Sequence, residues 1–209
     1  MPKKEVPVDH LQNYLPPGTG EAVISYLHQY KVHLTIAKER KSILGDYRHR
    51  THHTNHRISV NGNLNTFAFL ITLLHEIAHL LTFEQYGNKV SAHGREWKAI
   101  FGQLLHQFVS NKVFPADIEK ELLESLKNPA ASSCAEEGLL RVLRKYDIKK
   151  NNHQLVEEIP SGALFRIKDG RIFKKGDKLR KRFKCTEVKT GKMYLFSPVY
   201  EIEFLPAAG

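Results

Sequence analysis

The stretch LLHEIAHLLTFEQYGNKVSAHGREW, residues 73–97, sets three histidines and three glutamates into an otherwise apolar run. His75 and His79 are four residues apart. On a helix they lie about 40° from one another and project from adjacent turns of one face. Two imidazoles in that relation can share one cation. Glu76 lies about 100° from His75, at the border of the same face, where its carboxylate reaches a water on the cation rather than the cation itself. This is the H-E-x-x-H arrangement. Burying two imidazoles and a carboxylate among Leu70, Leu73, Leu74, Ile77, Leu80 and Leu81 costs several kcal/mol unless something pairs with them. A metal is the simplest partner, and a satisfied polar network is the alternative.

A catalytic zinc takes three protein ligands and keeps one position open. Thr82 and Gln85 stand where the compact H-E-x-x-H-x-x-G-x-x-H pattern needs glycine and histidine, so that pattern is absent. His93 is the preferred third ligand. Gly94 after it permits a tight turn into a second helix, and Trp97 one turn further on can wall the site. Glu96, on that second helix, is the competing ligand. Tyr47 and Tyr86 are candidates for stabilising an oxyanion.

Composition narrows the setting. A chain of 209 residues with 41% hydrophobic content can bury a core, as one domain or two small ones. Two cysteines, Cys134 and Cys185, are too few for a disulfide framework or a four-thiolate zinc site, and they point to a reducing compartment. The N-terminal MPKKEVPVDHLQNYLPPGTGE has lysines without an apolar run behind them. No signal peptide, no span of membrane length, no membrane association and a cytoplasmic location are therefore expected. The net charge of +10 is unevenly placed: Arg141 to Lys192 holds 17 Lys/Arg against 6 Asp/Glu, and the rest of the chain holds 15 against 16. That asymmetry favours a polyanionic partner, although a solvated, solubilising face has the same composition.

Elsewhere the patterning predicts an α+β chain in two parts. PPGTGEAVISYLHQY opens a helix, KVHLTIAK alternates as a half-buried strand, and ILGDYRH and HRISVNG read as two more strands of a small antiparallel sheet. Asn65 or Thr66 caps a long apolar helix that ends near Gly87, GREWKAIFGQLLHQFV begins another, and PADIEKELLESLKN is a shorter amphipathic one. The expected organisation is a domain over 1–128, a linker over 129–137 and a basic β-rich module over 138–209, with turns at Asp169-Gly170 and Thr190-Gly191. The strand HRISVNG, taken as a sheet edge, would pair its backbone with an extended peptide. The histidine-rich RHRTHHTNHR, with His49, His52, His53 and His56, reads as an exposed loop.

HEIAH followed by HGREW after a short loop, with RISVNGNL ahead of it, resembles the SprT-like domain, the metalloprotease module of bacterial SprT proteins and Spartan-type DNA–protein crosslink proteases. The resemblance spans roughly residues 18–109. It implies a minimal zincin-like fold, Zn2+ held by His75, His79 and His93, and Glu76 as general base. Many bacterial members continue into a cysteine-based zinc ribbon. Here only Cys185 lies in the C-terminal strands, so a metal-free β-module takes its place.

In that module FKKGDKLRKRFKC interleaves Phe173 and Phe183 with Lys174, Lys175, Lys178, Arg180, Lys181, Arg182 and Lys184. Read as one strand, Arg180, Arg182 and Lys184 share a face and form a cationic stripe suited to phosphate contacts. Lys174, Lys175, Lys178, Arg180, Arg182 and Lys184 are the expected nucleic-acid contacts, and the aromatics belong more naturally to a core. The functional reading is a zinc endopeptidase acting on protein substrates bound or crosslinked to DNA, without sequence specificity for the DNA. The alternative is a nucleic-acid-binding or transcription-associated adaptor with structural zinc. A non-protease metal hydrolase is a third reading.

Overall fold

The computed structural model describes residues 8–40, 42–126, 134, 136–148 and 153–206. Most of the expected linker, 129–137, lies outside these residues. The chain divides into two compact units, Met1–Asp147 and Ile148–Gly209.

In the first unit a short helix, α1 (Val8–Leu11), precedes α2 (Gly20–Gln29) and the strands β1 (His33–Ala37), β2 (Gly45–Arg48) and β3 (Arg57–Asn61). The helices α3 (Thr66–Tyr86), α4 (Arg95–Ser110), α5 (Ala116–Ser125) and α6 (Glu137–Leu143) follow. The sheet order is β1-β3-β2, with β1 parallel and β2 antiparallel to β3. The sheet is therefore mixed, not antiparallel as expected. The cause is the connection through β2: HRISVNG, read as an edge, returns between the other two strands and becomes the centre. Ile58 and Val60, on one side of β3, are buried, as a central strand over a helix requires. Among the described residues the free edges belong to β1 and β2.

α3 is apolar all round because it is the core of this unit. Phe69, Leu70, Ile71, Leu73, Leu74, Ile77 and Leu80 are almost fully buried. At 21 residues and mean hydropathy 1.6 it is long and apolar enough to cross a bilayer, against the expectation that no stretch approaches that length. Its most apolar window is 72% buried within the protein, which is the setting of a core helix. Asn65 caps it as expected, Oδ1 accepting from Ala68 N at 2.9 Å, and Gly87 takes the closing position at φ 60°. The amphipathic face of α4 buries Trp97, Phe101, Leu104, Leu105 and Phe108 against α3.

The unit boundary falls at Asp147/Ile148, beyond the expected linker. Leu139 and Leu143 of α6 belong to the first core, and Asn65 Nδ2 donates to Leu143 O at 3.0 Å and to Asp147 Oδ1 at 2.6 Å. The expected linker, 129–137, therefore falls within the sequence bounds of the first unit, and a run of small and polar residues does not mark where that unit ends.

The second unit is a six-stranded sheet in the order β4-β9-β5-β6-β7-β8. β5 (Leu164–Arg166), β6 (Ile172–Leu179), β7 (Arg182–Glu187) and β8 (Met193–Phe196) form an antiparallel meander. β9 (Glu201–Leu205) returns to pair both β5 and β4 (His153–Leu155). The turns lie at Asp169-Gly170 and Thr190-Gly191, both glycines having positive φ. Phe165, Phe173 and Phe196 pack ring to ring at 5.0–5.7 Å between centroids, so these aromatics are core. β6 bulges between Lys175 and Lys178, where any Cβ on Gly176 would strike Lys184 O.

Asn65 joins the start of α3 to the end of α6 through both ends of its amide. Asn65→Ala should destabilise the first unit by about 2 kcal/mol, the upper end of a cap loss, and leave the second unit unchanged. Denaturant unfolding followed by Trp97 fluorescence, the only tryptophan, reads the first unit alone; an unshifted midpoint would contradict this role.

Candidate metal centre

The H-E-x-x-H segment lies in the middle of α3, and the loop after Gly87 brings back His93 just ahead of α4. His75 Nε2 is 3.3 Å from His79 Nε2 and 3.3 Å from His93 Nε2. Three imidazoles from two elements thus converge on one point. Burial first, then the neighbouring imidazoles, push His75 down to about 3 and His79 down to about 4; burial also lowers His93. All three are neutral near pH 7 and aim lone pairs at a common centre. His75 Nε2 has at most one proton, so it cannot donate to both neighbours, and its buried Nδ1 has no hydrogen-bond partner among the described residues. A cation resolves this conflict. Tetrahedral zinc with Zn–N bonds of about 2.0–2.1 Å separates its nitrogens by roughly 3.3 Å, so the donor set and its spacing fit the ion. Trp97 walls the site as expected, its ring centroid 4.6 Å from that of His75. Glu96 is not in the cluster.

Glu76 is 5% exposed and lines the same cleft of about 550 Å³ as His75, His79 and His93. Burial, and then the carboxylate of Asp46, push its carboxyl up to about 8, with Arg40 opposing. A dication beside it favours the charged form instead. Gly45 on β2 explains how the strand comes so close: a Cβ there would overlap the Glu76 carboxylate. Sequence reasoning did not single out Gly45. A glycine inside a strand is the signal for such an approach, and ILGDYRH carries it.

Tyr47, two residues along β2, stacks on His79 with centroids 6.4 Å apart and planes 4° from parallel. Its hydroxyl is 2.9 Å from His56 Nδ1, which also accepts from Arg50 N at 3.3 Å. His56 Nδ1 is therefore the acceptor, and Nε2–H faces Glu84 Oε1 at 3.2 Å. Burial lowers the His56 pKa against the pull of Glu84, which keeps this tautomer neutral. The Tyr47 proton is thus committed to His56, and Tyr86 does not line the cleft, so neither tyrosine is a ready oxyanion donor. The histidine-rich segment is not uniformly an exposed loop, since His56 is 2% exposed and His49 stacks on Phe83 at 4.6 Å.

The basic segment of the second unit departs from its reading as one strand. Arg180 has φ 51° and occupies the hairpin turn between β6 and β7, because FKKGDKLRKRFKC is two strands and not one. Lys175 is buried: Nζ donates to Ile159 O at 2.5 Å and Glu157 O at 3.4 Å and lies 4.2 Å from the Phe183 ring centroid. It is a core lysine, withdrawn from any polyanion. Lys174, Lys178, Arg182 and Lys184 are exposed. Arg182, Lys184 and Lys174 share one face with the exposed Leu164, Met193 and Leu195.

The model of the SprT-like family matches residues 19–119. This part of the chain is a metalloprotease-type domain. Specifically, residues 19–119 form a SprT-like domain. No curated protein and no solved structure matches the chain.

Because His75 and His79 stay neutral far below the ordinary value near 6.5, protons compete for them only in acid. Zinc should be retained through pH 6 and be released only as the pH approaches about 4, where His79 takes up a proton, at about one equivalent per chain at pH 7, and His79→Ala should abolish it. A chromogenic chelator followed against pH measures this; loss of the ion between pH 7 and 6 would contradict the buried, neutral ligand set.

Proposed function

We propose that the chain is a zinc-dependent endopeptidase acting on proteins bound or crosslinked to DNA. The observation that carries the peptidase reading is the convergence of three neutral imidazoles, with His75 Nε2 3.3 Å from both His79 Nε2 and His93 Nε2, beside one buried glutamate. His75, His79 and His93 would hold zinc, which would supply a Lewis acid and lower the pKa of water toward neutrality. Glu76 takes a proton from the attacking water and returns it to the leaving amine. Gly45 lets β2 press that carboxylate into place, and Tyr47, anchored by His56 and Glu84, fixes the ring of His79 from the other side. A structural zinc closes all four positions with protein ligands and needs no neighbouring base, so the intact Glu76 favours the enzyme over the adaptor.

Substrate recognition falls to β2 in place of the central strand β3. Residues 42–47 line the cleft, and the unpaired edge of β2 offers backbone N–H and C=O groups to an extended polypeptide. Main-chain pairing of this kind ignores side-chain sequence and admits only unfolded or flexible segments. The DNA part of the proposal rests on the charge imbalance and on the exposed Lys174, Lys178, Arg182 and Lys184, with Arg180 at the turn between them. Two buried cysteines outside any disulfide suit a reducing compartment such as the cytoplasm.

Glu76→Gln should keep about one equivalent of zinc while casein cleavage falls by at least about a hundred-fold. Gly45→Ala should also keep its zinc but lose roughly ten- to a hundred-fold in rate, because the carboxylate must move aside. Full activity in zinc-loaded Glu76→Gln would reject the base.

Replacing Lys174, Arg182 and Lys184 together with Ala should weaken single-stranded DNA binding and flatten its salt dependence, by roughly 0.7 in slope for each phosphate no longer neutralised. Fluorescence anisotropy over a salt series decides it; equal affinity and slope in wild type and variant would reject this face.

A further inference from the structure

The outer face of the three-stranded sheet carries a cationic cleft separate from the metal centre. The antiparallel register of β2 on β3 places Arg48 opposite Arg57, and the parallel register of β1 on β3 places His33 opposite Arg57. One row across all three strands is therefore His33, Arg57, Arg48, and the next row on that face is Thr35, Ser59, Asp46. These side chains and Arg40 line a cleft of about 220 Å³. Like charges directly opposite one another destabilise a sheet, so this row has a cost that an anion would remove.

The cleft remains positive after its own contacts are made. Asp46 Oδ2 accepts from Arg48 Nε at 3.0 Å, which leaves both terminal nitrogens of Arg48 available among the described residues. No carboxylate among the described residues pairs with Arg57. Arg40 is fixed rather than neutralised: Nε donates to Asn61 Oδ1 at 2.7 Å, Nη1 to Ser59 Oγ at 2.9 Å, and Nη2 to Ser59 O and Leu44 O at 3.2 and 3.3 Å. Uncharged oxygens hold that guanidinium in place and leave its charge intact. Ser59 Oγ, accepting from Arg40, keeps its own proton to donate.

We propose that this face is a phosphate-binding site in which the guanidinium groups of Arg48 and Arg57 grip the oxyanion in forked fashion, with Ser59 O–H as a further donor and Arg40 as a fixed positive charge behind it. Arginine forks match phosphate oxygens in geometry and charge. The phosphate can belong to a small molecule or to a nucleic-acid backbone. Either way it binds the strand whose opposite face holds Gly45 against Glu76, so β2 is the shared wall of two sites. The proposal does not depend on the peptidase reading, and it adds a site that the cations of the second unit do not contain.

Amide chemical shifts of the full-length protein, titrated with inorganic phosphate at fixed ionic strength, test the site. Saturable shifts are expected at His33, Arg48, Arg57 and Ser59, and Arg48→Gln/Arg57→Gln should weaken binding by about ten-fold or more. Because that variant also removes like-charge repulsion, its melting temperature should be at least that of wild type, and Arg57→Gln alone should weaken binding several-fold in the same assay. A second titration uses oligothymidylate. Perturbation of the same amides identifies a nucleic-acid backbone as the source, and a response to phosphate alone identifies a small phosphorylated ligand. Absence of saturable shifts on this face with both probes, or shifts unchanged in the double variant, overturns the proposal. Binding is read without catalysis, so an inactive peptidase would leave this result standing.

Discussion

The first unit is organised around a polar triplet that its own hydrophobic core must tolerate. His75, Glu76 and His79 interrupt α3 among buried apolar side chains, and no arrangement of protons lets His75 Nε2 donate to both neighbouring imidazoles while its Nδ1 has no hydrogen-bond partner among the described residues. Everything that touches them relieves part of that cost. His93 returns on the following loop to complete the nitrogen set, Trp97 and Phe101 seal its floor, and β2 closes the side on which the carboxylate lies. The core excludes water from the group, and that exclusion is what strips the imidazoles of their protons.

β2 is the element on which most of this depends, although it has only four residues. Its alternation sends Gly45 and Tyr47 toward α3 and Asp46 and Arg48 outward, so one short strand carries an absent side chain, an acid, an aromatic wall and a base in sequence. The absent side chain sets how near the sheet approaches the carboxylate. The aromatic wall in turn is set by a hydrogen-bonded chain through His56 to Glu84, whose donors and acceptors have only one consistent assignment.

The helical half of this unit is legible in the sequence because its signals are local. Four-residue spacing of His75 and His79, Asn65 as cap and Gly87 as terminator each follow from one turn of helix, and His93 follows from the glycine after it. Pairing between distant segments is not legible in the same way. The alternation in HRISVNG fixes which side chains are buried but not whether another strand covers its free edge, so the pattern alone puts β3 at the rim when it is central. The same limit explains Arg180 and Lys175. A run of basic residues gives no warning of a hairpin turn inside it, nor that one lysine will find two carbonyls and a phenyl ring in the interior.

Lys175 and its aromatic neighbours show how the second unit dispenses with inorganic cross-links. Phe165, Phe173 and Phe196 fill its interior, a buried ammonium ties two carbonyls of the preceding segment to β6, and the lone thiol of Cys185 is enclosed with them. This unit draws its cohesion from packed rings, hydrogen bonds and ion pairs such as Arg166–Glu203, whereas the first unit gathers three imidazoles that could hold a metal. Under metal starvation the two would part company in behaviour: the first would lose its chemistry, and the second would keep its charged sheet presented on the same polypeptide. On the reading proposed above, a chain so constructed would keep its hold on a nucleic acid while losing its chemistry whenever zinc is scarce, so that the metal supply would control turnover rather than attachment.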